Sequence, residues 1–308
     1  MNEQYLKKLQ VPQGIVDVVL DTDCYNEIDD QFALAYLLRC PERVRLLAIT
    51  AAPFLNKKVQ TPGEGMELSY REIYKVLELA LPEGNHPPVF RGSETFLPDE
   101  NTPVQSPAAE EIARLAMEHT PEDPLYVVGI GASTNIASAL LLHPQIKERI
   151  VLVWLGGQAL HYMNNLEFNL RQDVASGRVL FGSGAPMVQL PCRGVVSQFA
   201  TTRYELEHWL VGKNPLSDYL ARNAIAHCEA LAPGKAWSKP LWDVTAVAWL
   251  VNDGERFMYQ RQIPSPIPEY DHSYSRDPGR HPIGYVFYIE RDALFQDLVR
   301  RLTDAALA

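Results

Sequence analysis

One stretch constrains this chain more than any other: residues 15–38, IVDVVLDTDCYNEIDDQFALAYLL. The apolar run Val18-Val19-Leu20 reads as a buried strand and ends in Asp21-Thr22-Asp23. A short polar turn leads to Asp29-Asp30, and an apolar segment of helical length follows, Phe32 to Leu38. Four aspartates therefore meet where a strand hands over to a helix. Like charges crowded in this way repel one another unless something positive joins them. Helix capping accounts for part of the pattern, since Asp29 is a fair N-cap and Asp30 falls in the first turn, where the helix dipole favours it. It gives no reason for Asp21 and Asp23 at the strand end, and the turn is read as a metal site.

The rest of the chain repeats the strand–helix alternation. Strands are expected at Val44–Thr50, Pro88–Phe90, Leu125–Ile130, Val151–Leu155, Met187–Leu190 and Ile283–Ile289. Helices are expected at Met66–Leu81, Ala108–His119, Ile136–Leu142, Ala175–Phe181, Asp243–Val251 and Ala293–Leu302, with one or two more between Tyr204 and Glu229. Residues 264–282, rich in proline and charge, are expected as a surface excursion. No repeat and no linker interrupts the pattern, so residues 1–308 are read as one domain. The fold class is α/β, an open, mostly parallel, Rossmann-like sheet covered by helices on both faces. Ligands bind such sheets beyond the carboxyl ends of the strands. Asp21/Asp23, Asn56, Thr134/Asn135 and Glu167/Asn169 each follow a strand and converge on that edge.

Composition narrows the partners. A formal net charge of −10 argues against a nucleic-acid polymer, though not against a small nucleoside. No apolar run approaches membrane-spanning length, and the amino terminus lacks the apolar core of a signal peptide. The four cysteines are scattered without C-x-x-C spacing, which fits a reducing cytoplasm. Cys24 lies inside the acidic turn, where neighbouring carboxylates raise a thiol's pKa, and it is read as a structural or bystander thiol rather than a nucleophile.

Taken in order, the acidic turn, GASTNIASAL, LGG…EFN and the late Trp242-Asp243 resemble the nucleoside hydrolases, the inosine–uridine-preferring nucleoside N-ribohydrolase superfamily. The resemblance runs from Val18 to the last helix. It implies a calcium ion held by Asp23, Asp30, Asp243 and the carbonyl of Thr134, an all-oxygen set that suits Ca²⁺ ahead of Mg²⁺ and disfavours zinc. It implies a small-molecule nucleoside or ribose as ligand. Asp29, Asn56, Glu167, Asn169 and Asn165 (or Asn164) would grip the ribose, and Trp242 would stack on the base. The reaction implied is hydrolysis of the bond between ribose C1′ and the base nitrogen through an oxocarbenium-like state. Asp23 would be the general base, and Asn169 with Glu167 would stabilise the developing positive charge. A homodimer or homotetramer is the expected assembly.

Two departures from the family pattern stand out. Five residues, Cys24 to Ile28, separate the two aspartate pairs where the family commonly has three, and the extra length either moves Asp29 and Asp30 or brings Asn26 and Glu27 into the site. The position before the late aspartate is Trp242, where many pyrimidine-accepting members carry a histidine acid, and this points to purines. Tyr162 and Met163 are further candidates for the base pocket, whereas His161 and His227 receive no role. Two rival readings remain at this level: a calcium-dependent ribose- or nucleoside-binding protein without catalysis, and a haloacid-dehalogenase-like phosphatase, which also opens with D-x-D at a strand end.

Overall fold

The computed structural model describes residues 3–304. Eight strands form the main sheet: β1 (Val16–Thr22), β2 (Val44–Ala51), β3 (Val89–Arg91), β4 (Leu125–Gly129), β5 (Ile150–Leu155), β6 (Met187–Leu190), β7 (Met258–Pro264) and β8 (Pro282–Ile289). Their order is β3-β2-β1-β4-β5-β6-β8-β7. Every neighbouring pair is parallel except β7 with β8. From β1 the chain first builds outwards through β2 and β3, then returns to place β4 on the other side. The crevice at the carboxyl ends of β1 and β4 is thus the topological switch point, where such sheets bind ligands.

The central strands are largely apolar because both faces are covered. On β1, Val18 and Leu20 enter one core and Val19 the other; on β5, Val151, Val153 and Leu155 face one and Ile150, Leu152 and Trp154 the opposite one. Strand period two therefore divides a continuous apolar run between two cores. The first core contains two wholly or nearly wholly buried helices, Asp29–Leu38 and Val244–Leu250. They have no polar face because they lie beneath others, including Pro62–Ala80, Pro215–Leu231 and Arg291–Thr303. The second core is closed by Pro107–Glu118, Thr134–Leu142 and Val174–Gly182.

Most expected elements appear within a few residues of their predicted limits, and the differences have local causes. The helix expected from Met66 starts at Pro62: Thr61 caps it by accepting from the Glu64 N–H at 3.1 Å, and Pro62 occupies the first turn. The span from Tyr204 to Glu229 resolves into Arg203–Trp209 and Pro215–Leu231, each opened by a capping box. Strand β7 was not anticipated, because MYQRQIP lacks apolar alternation; it is an antiparallel edge strand that exposes Arg261 and Gln262 and turns Gln260 inward to accept from the Trp249 indole at 2.8 Å.

Residues 264–282 are more than a surface excursion. Ile267–Pro268 pairs with Tyr274–Ser275, and Arg178 ties the ribbon down by donating to the Pro268 carbonyl at 2.7 Å and to Glu269 at 2.8 Å. The Tyr274 hydroxyl then reaches Gln189 at 3.0 Å, beneath the carboxyl edge of the sheet.

Candidate active site

The two buried helices deliver three carboxylates to one point. Asp29 and Asp30 open the Asp29–Leu38 helix, and Asp243 directly precedes Val244–Leu250. One oxygen from each lies within 4.8 Å of the others, and all three side chains are buried. Capping does not explain them: the N-cap of the first helix is Ile28, with no side-chain cap, and Asp243 makes no capping bond either. The partial positive charge at each helix start offsets part of the repulsion. Asp29 also accepts from the Asp243 N–H at 3.4 Å, and Asp30 from the Thr22 hydroxyl at 2.5 Å.

Asp23 faces the same pocket from the end of β1, outside the close trio, and its buried Oδ2 has no partner among the described residues. Burial, then the charges of Asp30 and Asp29, pushes the Asp23 carboxyl well above the usual range. Burial and Asp29 push Asp30 up to about 7. Asp243 is pushed well up by burial, then by Asp29 and Asp30. Asp21 stands behind the pocket, accepting from Thr50 at 2.7 Å and Asn135 at 2.8 Å, and burial raises it to about 6. Asn135 is therefore a latch rather than a helix cap: its Oδ1 also takes the Ser93 N–H at 2.8 Å.

The opposite wall rises from β5. Glu167 caps the short helix Phe168–Gln172, accepting from the backbone N–H groups of Gly157, Asn169 and Leu170, each at 2.9 Å. Burial raises its pKa in spite of those donors. Asn169 spends its Nδ2 on the carbonyls of Ile130 and Leu155, at 3.0 and 3.1 Å, so its carbonyl oxygen is the end left for a ligand.

Of the expected site residues, Asp23, Asp29, Asp30, Glu167, Asn169, Trp242 and Asp243 line one pocket of about 220 Å³. Three do not line it. Asn165 is buried behind it, accepting from the Gln158 N–H at 2.7 Å. Asn56 donates to Asn26 at 2.9 Å. The Thr134 hydroxyl donates to Asp173 at 2.7 Å, although Gly131 in the same turn packs against Asp23. Tyr162 and Met163 stay outside, Met163 being 89% exposed, and Leu166 lines the pocket instead.

The longer turn does bring Asn26 and Glu27 into the wall. The Asn26 N–H donates to the Asp23 carbonyl at 2.7 Å, and Lys58 Nζ clamps the Tyr25 and Asn26 carbonyls at 2.9 and 2.8 Å. Gln158, Phe168, Arg171 and Arg193 also line the wall; Gln158 and Arg193 come from loops, and Phe168 and Arg171 from the short helix that Glu167 caps. Cys24 is buried and its thiol pushed well up, first by burial and then by the carboxylates, so it is no nucleophile.

The family model "Inosine-uridine preferring nucleoside hydrolase" matches residues 18–270. The chain belongs to this family. It is accordingly an enzyme, a ribonucleoside N-ribohydrolase, and not a haloacid-dehalogenase-like phosphatase. Among curated relatives, "Pyrimidine-specific ribonucleoside hydrolase RihA" of Salmonella typhimurium is 26% identical over 250 residues, covering 74% of this chain and 78% of the relative.

Solved nucleoside hydrolases share the fold. The plant enzyme PpNRh1 gives a TM-score of 0.72 at 20% identity, over 94% of this chain and 99% of that one. The purine-preferring ribonucleoside hydrolase from Gardnerella vaginalis gives 0.70 at 22% identity, over 94% and 98%. As a nucleoside hydrolase site, the acidic cluster fits a hard cation. Its donors are oxygens only, the Asp23 Oδ2 is buried without a hydrogen-bond partner among the described residues, and three of its carboxyls are held above their ordinary pKa by burial and by one another's charge.

Proposed function

We propose that this enzyme hydrolyses purine ribonucleosides in preference to pyrimidine ones, with Ca²⁺ as its ion, giving ribose and the free base. The observation that carries this is the pairing, in one pocket, of the buried acidic cluster with the Trp242 indole. Asp23, Asp30, Asp243 and the Thr134 carbonyl would hold the ion, with Asp29 beside it. When bound, calcium supplies the positive charge the carboxylates lack, orients the ribose hydroxyls and makes water easier to deprotonate.

The chain's own groups do the rest. The free oxygen of Asp23 takes a proton from the attacking water. As the C1′–N bond breaks, its electron pair leaves with the base and C1′ becomes electron-poor. The Asn169 carbonyl oxygen and the Glu167 carboxylate, fixed by their backbone partners, offer negative charge towards it. Water oxygen then bonds to C1′, and the base is neutralised by a proton. No histidine lines the pocket among the described residues. Trp242 offers the purine an indole face, which favours a ring that gains positive charge on protonation.

The test compares kcat/KM for inosine, adenosine, guanosine, uridine and cytidine in wild type, Trp242→Ala and Trp242→Phe. The purine preference should shrink in Trp242→Ala and survive in part in Trp242→Phe. Equal or better uridine cleavage by the wild type would rule out the stacking role while leaving the ion site standing. Activity unchanged by chelation would rule out the ion.

A further inference from the structure

The inserted turn places a carboxylate where the acidic cluster has no use for it. Glu27 lines the pocket beside Trp242, with its side chain 43% exposed. Its Oε2 accepts from Lys239 Nζ, and its Oε1 has no hydrogen-bond partner among the described residues.

Lys239 itself is only 6% exposed. It is fixed by a two-residue strand, Lys239–Pro240, whose Lys239 pairs with Thr201. Its ammonium lies 3.5 Å from Asp29 and 4.1 Å from the centroid of the Trp242 ring. The indole N–H donates to the Ser197 hydroxyl at 2.8 Å. Trp242 is thus held at its edge by Ser197 and on one face by the lysine.

We propose that Glu27 determines which purine is accepted: its free oxygen takes the N1–H of a 6-oxopurine lying on Trp242, and Lys239 is the positioning residue that holds both groups. The inference rests on Trp242 being the base platform. The selectivity follows from elementary chemistry. An ionised carboxylate can only accept. Hypoxanthine and guanine present an N–H at N1, and guanine adds an amino group next to it. Adenine presents a lone pair at N1, which a carboxylate repels. A structural role alone, neutralising Asp29, would need the lysine but would not need its second partner to stand in the pocket wall with an oxygen to spare.

The experiment measures kcat/KM for inosine, guanosine, adenosine and uridine in the calcium-loaded full-length enzyme and in Glu27→Gln, Glu27→Ala, Lys239→Met and Lys239→Arg. The wild type should favour inosine and guanosine over adenosine by about tenfold or more, the worth of one charge-assisted hydrogen bond. That ratio should collapse about tenfold in Glu27→Gln and Glu27→Ala, the second serving if the first does not fold. Lys239→Met should lower the ratio mainly through KM for inosine, and Lys239→Arg should recover part of it. A Lys239→Met enzyme that loses thermal stability but keeps the ratio would overturn the positioning role. An inosine-to-adenosine ratio untouched by both Glu27 variants, in an enzyme that still prefers purines, would overturn the inference while sparing the stacking role. Wild-type preference for uridine over every purine would remove the platform and the inference with it.

Discussion

At the scale of single residues, the acidic cluster was legible because like charges need a reason to be together. Lys239 was not, because its sequence setting, SKPLWD, resembles any loop, and its partner Glu27 lies 212 residues away. Asn135 was placed on the same edge as Asp21, but the bond between them, across 114 residues, was not legible. Asp23 permits a test that separates chemistry from folding. Asp23→Asn keeps the side-chain volume and removes the base, so kcat should fall by at least ~10²–10⁴. In chelator at pH 8 the same variant should melt no lower than wild type, because it removes a carboxyl whose ionisation burial, Asp30 and Asp29 all oppose. An active variant, or an inactive one that melts several degrees lower in chelator, would contradict this account of Asp23.

At the scale of elements, the strands and helices of the sheet were readable from apolar periodicity, and the support beneath the site was not. The loop after β5 shows why. Gly157 has φ +72, in the left-handed region that favours glycine, and a Cβ there would come within 2.0 Å of the Tyr274 hydroxyl and 3.1 Å of Asn165 Oδ1. Its N–H is one of three that hold Glu167. The close approach is made by the ribbon of residues 267–275, whose proline and charge disguised it as plain surface. Gly157→Ala should therefore cost more than the ~1 kcal/mol of a left-handed backbone alone. Gly14→Ala is the control, with φ +77 and open space around it. Melting temperature should fall clearly further for Gly157→Ala, and kcat should fall with it as Glu167 shifts. Equal effects at both glycines would show that Tyr274 does not constrain the loop.

At the scale of the whole molecule, the cost of the site should appear as a pH dependence of stability in the ion-free protein. Asp21 is raised to about 6 and Asp30 to about 7, with Asp23 and Asp243 also pushed up, chiefly by burial. The unfolded chain releases these protons near pH 4. Between about pH 4 and 7 the folded state binds more protons than the unfolded one, and stability falls as pH rises through that window. Two half-buried histidines, His227 and His281, are lowered by burial and act in the opposite sense, but they are outnumbered by the site carboxyls. Carboxylates held low by arginine partners against the effect of burial, such as Asp297 and Glu42, cost stability only at more acidic pH. In chelator, Tm should therefore decline from pH 5 to pH 8. A bound cation favours the ionised carboxylates, so saturating calcium should flatten or reverse the slope and raise Tm most at pH 8. At a hundredfold excess over Kd it adds about 2.7 kcal/mol to stability. Thermal melts at three pH values, with and without calcium, read both effects. A chelated protein whose Tm rises steadily from pH 5 to 8, with no calcium-dependent gain, would mean that the buried aspartates are satisfied without an ion.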